Sequence, residues 1–412
     1  MSDKNLSLTQ NVERLKRYTF LEQSVMRTLA GWLPGVPEWE VKNEIGLHLW
    51  EDADACERLR VRLREMRAHH PEKSIPEALR HLARELDCAA NTLELLATVY
   101  LVVKKALLET YRLHPTLTYP VFDRPTVKVL GELTEIYERQ VAWAEGMVAR
   151  LQAESGGGRE GERVGGWEAY IAAVFAAAGG TDGAETGVAV PERPAGHDLL
   201  LPWKECQREA GWPIFDPDTD VEPDREMQPD AHREWRFRHY LNEMTAAETL
   251  GSILWLTPEM PWEFQYNTAR HLWDEVRHSQ LGQLVIKQLG FEVKDIWQVV
   301  QIYNVMMTLP AVDQYALLTT VIEPNGMPEK RRNIEHFEDI HDDVAAAAIS
   351  YDWSDENYHI RWGKKWTPVM LQTYGYTETP EEIAARTEQW LLIHTPVKMQ
   401  VRMAQEHGAT PG

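Results

Sequence analysis

Apolar positions along the chain recur three and four residues apart and almost nowhere alternate, which predicts an all-α protein. Leu59, Leu63 and Met66 form one such stripe, and Leu93, Leu96, Tyr100, Val103 and Leu107 another. The helical pattern runs from Asn11 to Gln152 and is broken by turn-forming residues at Gly31 to Pro37, His70 to Pro76 and His114 to Pro125. These breaks divide residues 1–152 into about four helices of bundle length, a first helical domain. Glycines then crowd Glu154 to Gly166, a short Ala-rich helix is expected over Trp167 to Ala178, and Pro and Asp dominate Gly211 to Pro229. Residues 153–230 therefore read as a linker. From Ala231 the helical pattern returns with dense tryptophan: Trp235, Trp255, Trp262, Trp273, Trp297, Trp353, Trp362 and Trp366. Large rings at helical spacing pack into cores more often than they line a cofactor. Residues 231–366 form the second domain in this reading, and 367–412 a helical extension.

Two segments of the second domain share a motif, Asp274-Glu275-Val276-Arg277-His278 and Asp355-Glu356-Asn357-Tyr358-His359. Residues three apart on a helix lie on one face, so each Glu and His can point at one metal ion. A lone Glu-x-x-His means little. Two copies mean more when each follows another helical Glu, because a carboxylate-bridged metal pair takes one Glu from each of two further helices. Glu243 lies 32 residues before Glu275, and Glu323 lies 33 before Glu356. Geometry favours Glu243 over Glu248: the turn Thr257 to Pro261 centres on Glu259, and Glu243 and Glu275 stand 16 residues to either side of it. Glu248 would sit roughly 7 Å off that level at the helical rise per residue. Pro324, Gly326 and Pro328 follow Glu323 and imply a bent helix there, which keeps Glu329 and Glu335 as alternatives. A third Glu-x-x-His, Glu338 to His341, falls near a turn. Several carboxylates at one height in a helical core would repel each other unless cations compensate them or protons neutralise them.

The set Glu243-x-x-Ala246, Asp-Glu-x-Arg-His at 274–278, Glu323-x-x-Gly326 and Asp-Glu-x-x-His at 355–359 resembles the ferritin-like di-iron carboxylate superfamily. Rubrerythrins, acyl carrier desaturases and bacterial multicomponent monooxygenases share that layout. The run from Asp355 to Trp366 is similar to uncharacterised ferritin-like proteins whose relatives include a tRNA-modifying hydroxylase. The resemblance covers about a third of the chain and implies a ferritin-like antiparallel four-helix bundle. It also implies two iron ions, with iron–manganese or two manganese ions as alternatives, held by Glu243, Glu275, His278, Glu323, Glu356 and His359. Asp274 and Asp355 are expected one layer out, each accepting from the histidine of the opposite motif, because adjacent helical side chains point about 100° apart.

Oxygen and nitrogen ligands of this kind suit iron or manganese over zinc or copper. The expected activity is oxidation or hydroxylation of a small organic substrate by dioxygen or peroxide, with electrons from an external donor. A ferroxidase or peroxide-scavenging protein and a non-catalytic metal-tied scaffold are the competing readings. In the first half, Glu44, His48, Glu51, Glu94 and Glu135 do not repeat the Glu-x-x-His spacing, so that half reads as a degenerate bundle or as a helical cap that forms a homodimer.

The net charge of −21 disfavours nucleic acid as a partner. Cys56, Cys88 and Cys206 are odd in number and lack Cys-x-x-Cys spacing, which argues against a disulfide framework, a zinc ribbon or a rubredoxin module and fits a cytoplasmic setting. No stretch approaches the roughly 18 apolar residues of a membrane span.

Overall fold

A computed structural model describes residues 5–155, 158–184, 187–215 and 229–394. The protein is all-helical. Among the described residues the only β contact is a single bridge between Ile214 and Gln298, and no helix is long and apolar enough to cross a membrane.

The chain divides into two compact units, one made of Met1–Trp32 and His48–Leu201, the other of Leu33–Leu47 and Pro202–Gly412. The first contains α1 (Leu8–Trp32), most of α2 (Trp39–Glu65), α3 (Glu77–Leu86), α4 (Thr92–Leu96), α5 (Lys105–Leu113), α6 (Pro120–Glu154) and α7 (Arg159–Ala177). A π-helical segment, Ala97–Lys104, joins α4 to α5. This division differs from the one expected. The stretch read as a linker contains α7, whose Val164, Trp167, Ile171 and Val174 are buried, so it is part of the first core. The first turns of α2, up to Leu47, count with the second unit although the helix runs on unbroken.

The second unit continues with α8 (Pro229–Leu241), α9 (Met244–Leu256), α10 (Trp262–Gln288), α11 (Gln301–Met306), α12 (Ala311–Leu317), α13 (Glu323–Asp339), α14 (Asp343–Thr373) and α15 (Pro380–His394). Helix α14 runs seven residues past the expected boundary at 366, and α15 supplies part of the expected extension; residues 395–412 lie outside the described residues. Helix α10 packs against α8, α9 and α14, and α13 packs against α14. Two glycines set how closely these helices meet. A Cβ on Gly282 of α10 would stand 2.3 Å from the Leu241 backbone nitrogen, and one on Gly363 of α14 would stand 2.6 Å from Thr319. Phe264, Tyr315, Ala316, Trp366 and Met370 pack in one apolar cluster of the unit.

At Glu323, where the prolines predict a bend, the helix changes to π geometry instead. A single π-helical segment, Leu318–Ile322, precedes Glu323, and α13 continues through Pro324 and Pro328. Proline has no N–H to give to the carbonyl four residues back, so the ladder is already interrupted there, and a π turn absorbs the fault without ending the helix.

Candidate metal centre

Four helical segments of the second unit aim side chains at one buried point. On α10, His271, Glu275 and His278 occupy positions i, i+4 and i+7, a single helical face. On α14, Asp352, Glu356 and His359 repeat the same spacing. Glu323 enters directly after the π segment. Glu243 enters where the helix breaks between α8 and α9. Asn242 pins that break: its amide donates to the Arg238 carbonyl, and its oxygen accepts from the Val299 N–H at 2.6 Å.

The side chains form two connected halves. In one, His271 Nε2 lies 2.8 Å from Glu323 Oε1 and 3.3 Å from Glu275 Oε1, and His359 Nδ1 lies 3.3 Å from that same Glu275 oxygen. In the other, His278 Nδ1 lies 3.2 Å from Glu243 Oε2, 3.3 Å from Asp352 Oδ1 and 3.5 Å from Glu275 Oε2. Glu275 therefore gives one oxygen to each half. Glu356 does likewise, with Oε2 at 3.4 Å from His359 Nδ1 and Oε1 at 2.7 Å from Lys330 Nζ.

Apart from the hydrogen bond that Lys330 donates to Glu356, these short approaches are not hydrogen bonds. Glu243 Oε2, His271 Nε2, His278 Nδ1, both oxygens of Glu323, Glu356 Oε2 and His359 Nδ1 are all buried without a hydrogen-bond partner. Leaving a buried polar atom unpaired costs about 1–3 kcal/mol each, and one bound cation could satisfy several of these seven at once. Ligand atoms of His271, Glu275, Glu323 and His359 fall within 4.8 Å of one another, as do those of Glu243, His278 and Asp352, and of Glu275, His278 and Glu356. Nitrogen and carboxylate oxygen converging in this way could hold a metal ion.

The electrostatics carry the same strain. Burial opposes ionisation of Glu275, yet His271, His278 and His359 hold it well below the usual carboxylate range. Burial also opposes ionisation of Glu356, but Lys330 and then His359 bring it to about 2. Glu243 is pushed up to about 7 by burial, with Asp352 adding to it. Glu323 is raised by burial, opposed by His271 and reinforced by Glu356. Burial would lower His278, but Asp352, Asp355, Glu243 and Glu275 drive it well above its ordinary value.

An outer layer orients the imidazoles. His278 Nε2 lies 3.4 Å from Asp355 Oδ2, and His359 Nε2 lies 3.5 Å from Asp274 Oδ2, so each aspartate faces the histidine of the opposite motif. Arg277 donates to both aspartates, at 2.6 Å to Asp274 and 3.1 Å to Asp355, and Arg270 donates to Asp274. An imidazole giving Nε2–H outward presents the Nδ1 lone pair inward.

All six residues proposed as ligands from the sequence meet here, joined by His271, Asp352 and Lys330, which the sequence reading did not single out. The alternatives go elsewhere. Glu248 forms a buried ion cluster with Lys42 and Arg208. Glu329 pairs with Arg236, and Glu335 with Arg331. His341 sits in the turn after α13 with φ 59°. In the first unit, His48 bonds Tyr100, Glu51 pairs with Arg139, Glu94 meets His197 and Arg163, and Glu135 is exposed. That unit's interior instead holds Lys104 between Asp52 and Gln140, with Glu22 accepting from Tyr111 and Tyr137. Trp366 packs in the apolar cluster and donates to Asn267, while Trp362 stacks on His359 with ring centroids 5.8 Å apart.

No protein-family model matches the chain, and no curated protein or solved structure matches it significantly.

Proposed function

We propose that the second unit is a ferritin-like four-helix bundle holding two metal ions, iron foremost, and that the protein is an oxidoreductase. It would use dioxygen or peroxide to oxidise or hydroxylate an organic substrate. The observation that carries this reading is the convergence of seven unpartnered buried ligand atoms from four helical segments. His271, Glu275, Glu323, His359 and Glu356 Oε2 would hold one ion; Glu243, Glu275, His278, Asp352 and Glu356 Oε1 would hold the other. Bound there, the ions supply reduction of the oxidant, which carboxylates and imidazoles cannot perform alone.

The chain's own contribution is placement. Glu275 and Glu356 divide their oxygens between the halves, Asp274 and Asp355 fix the imidazoles, and complete burial of His278 and His359 excludes water. Glu243 keeps its side chain 24% accessible, so one edge of the centre opens on a polar side. That polar edge also supports a second reading, in which peroxide or ferrous ion is itself the substrate.

Anaerobic loading with ferrous ion followed by admission of dioxygen tests the proposal. The expected result is a new near-ultraviolet or visible absorption in the wild type and none in Glu275→Gln. Bound iron that gives no oxidant-dependent change would leave only the structural role. Sustained peroxide or ferrous oxidation with no organic substrate would favour the second reading.

A further inference from the structure

Three pairs match between the two copies of the motif, Glu275 with Glu356, His278 with His359 and Glu243 with Glu323, but His271 of one copy stands where the other has Asp352, and the two halves are neutralised differently. Among the described residues, Glu275 and Glu323 pair only with imidazoles. In the other half the Lys330 ammonium lies 2.6 Å from Asp352 Oδ1, 2.7 Å from Glu356 Oε1 and 3.7 Å from Glu243 Oε1. The Tyr240 hydroxyl donates to the remaining Asp352 oxygen at 2.5 Å, and the ammonium stands 5.6 Å from the Tyr240 ring centroid.

We propose that Lys330 is an internal stand-in for the second metal ion: its ammonium fills the half formed by Glu243, His278, Asp352 and Glu356 until an ion displaces it. The two halves then load in order, the one around Glu323 first. This inference rests on the two-ion reading above.

Two comparisons within the chain support it. The first is with Lys104, whose ammonium donates to both Asp52 oxygens at 2.7 Å and to Gln140 at 2.8 Å. None of the side-chain polar atoms of Lys104, Asp52, Gln140 or Glu22 is buried without a partner, so that cluster is complete as it stands. Lys330 supplies charge but not coordination, because Glu243 Oε2 and His278 Nδ1 remain unpartnered beside it. The second comparison is of exits. The Lys42 and Lys104 side chains are 0% accessible, whereas that of Lys330 is 13% accessible and lies next to the 24% accessible Glu243. Lys330 can swing outward along that polar edge; the other two lysines are shut in. An ammonium and a divalent ion cannot share the same carboxylate oxygens, because their repulsion at such separations is large in any interior dielectric.

The test is an anaerobic Mn(II) titration of the full chain, wild type against Lys330→Met, followed by calorimetry and electron paramagnetic resonance. The wild type should bind one Mn(II) tightly and a second about tenfold or more weaker, whereas Lys330→Met should tighten the second by about tenfold or more and leave the first alone. At two equivalents Lys330→Met should show a spin-coupled pair where the wild type still shows an isolated ion. Lys330→Arg, which keeps the charge, should behave as the wild type. Two equal affinities in the wild type, or an unchanged second affinity in Lys330→Met, overturn the proposal while leaving the two-ion reading intact. No Mn(II) bound by either chain removes both. Should Lys330→Met fail to fold, the wild-type titration alone decides, since equal affinities there already refute ordered loading.

Discussion

Replacing Asp274 by asparagine keeps the shape of a side chain that is 2% exposed and removes its charge. Asp274 accepts from Arg270 Nε at 2.9 Å and Arg277 Nη1 at 2.6 Å, and it faces His359 Nε2 at 3.5 Å. The two arginine side chains are 34% and 29% accessible, so water takes over much of what they lose. His359 is 0% accessible and recovers nothing. A charge-assisted hydrogen bond contributes about 1.5–3 kcal/mol, and an outer-layer partner of a metal-bound histidine typically alters affinity by about 10- to 100-fold. Asp274→Asn should therefore weaken Mn(II) binding by about 10- to 100-fold without changing the number of ions bound at saturation. Asp355 is 16% accessible and shares Arg277, so Asp355→Asn should cost less, on the order of tenfold. Competition against a fluorescent chelator under anaerobic conditions measures both. Unchanged affinity in Asp274→Asn would refute the orienting role, and loss of all binding would make Asp274 a ligand.

Other outcomes follow from the same contacts. His271→Ala should abolish the tighter Mn(II) site, read as metal content at low free ion; a full complement would remove His271 from the centre. Gly282→Ala places a Cβ 2.3 Å from the Leu241 nitrogen, so it should destabilise the protein by about 1–3 kcal/mol or more in denaturant unfolding, and an unchanged midpoint would contradict the packing of α8 on α10. His114, whose Nδ1 contacts the Tyr18 hydroxyl at 3.1 Å, is lowered by burial to about 4. The unfolded state then binds the proton that the native state refuses between about pH 6.5 and 4, so this contribution is present above that window and lost as pH falls through it. His114→Gln should flatten the acid side of the stability curve by on the order of 3 kcal/mol, and parallel curves would show that another group dominates.

Much of the centre could be read from the chain because helical spacing alone ties Glu275 to His278 and Glu356 to His359, and equal distance from the Thr257–Pro261 turn separates Glu243 from Glu248. His271 and Asp352 carried a signal too: each stands four residues before the Glu of its motif, so both copies extend one turn toward the N-terminus. Reading only Glu-x-x-His stops short of them. Lys330 had no such signal. It stands seven residues after Glu323, and only the packing of α13 on α14 brings it to Asp352 and Glu356. Metal ions or protons can relieve crowded carboxylates, and a lysine is a third remedy. The segment 153–230 looked like a linker because glycine and proline dominate its ends, yet Trp167, Ile171 and Val174 bury one face of α7. Residues 33–47 group with the second unit through contacts far along the chain, such as Lys42 with Glu248, which no local pattern encodes.

The central claim is that the unpartnered atoms of Glu243, His271, His278, Glu323, Glu356 and His359 face metal. Crystals grown anaerobically with saturating ferrous ion, with diffraction recorded on both sides of the iron absorption edge, test it most directly. The account predicts two anomalous peaks per chain, one among His271, Glu323 and His359 and one among Glu243, His278 and Asp352, with Lys330 turned away from the second. No anomalous peak at either place, with the Lys330 ion pairs intact, would contradict it.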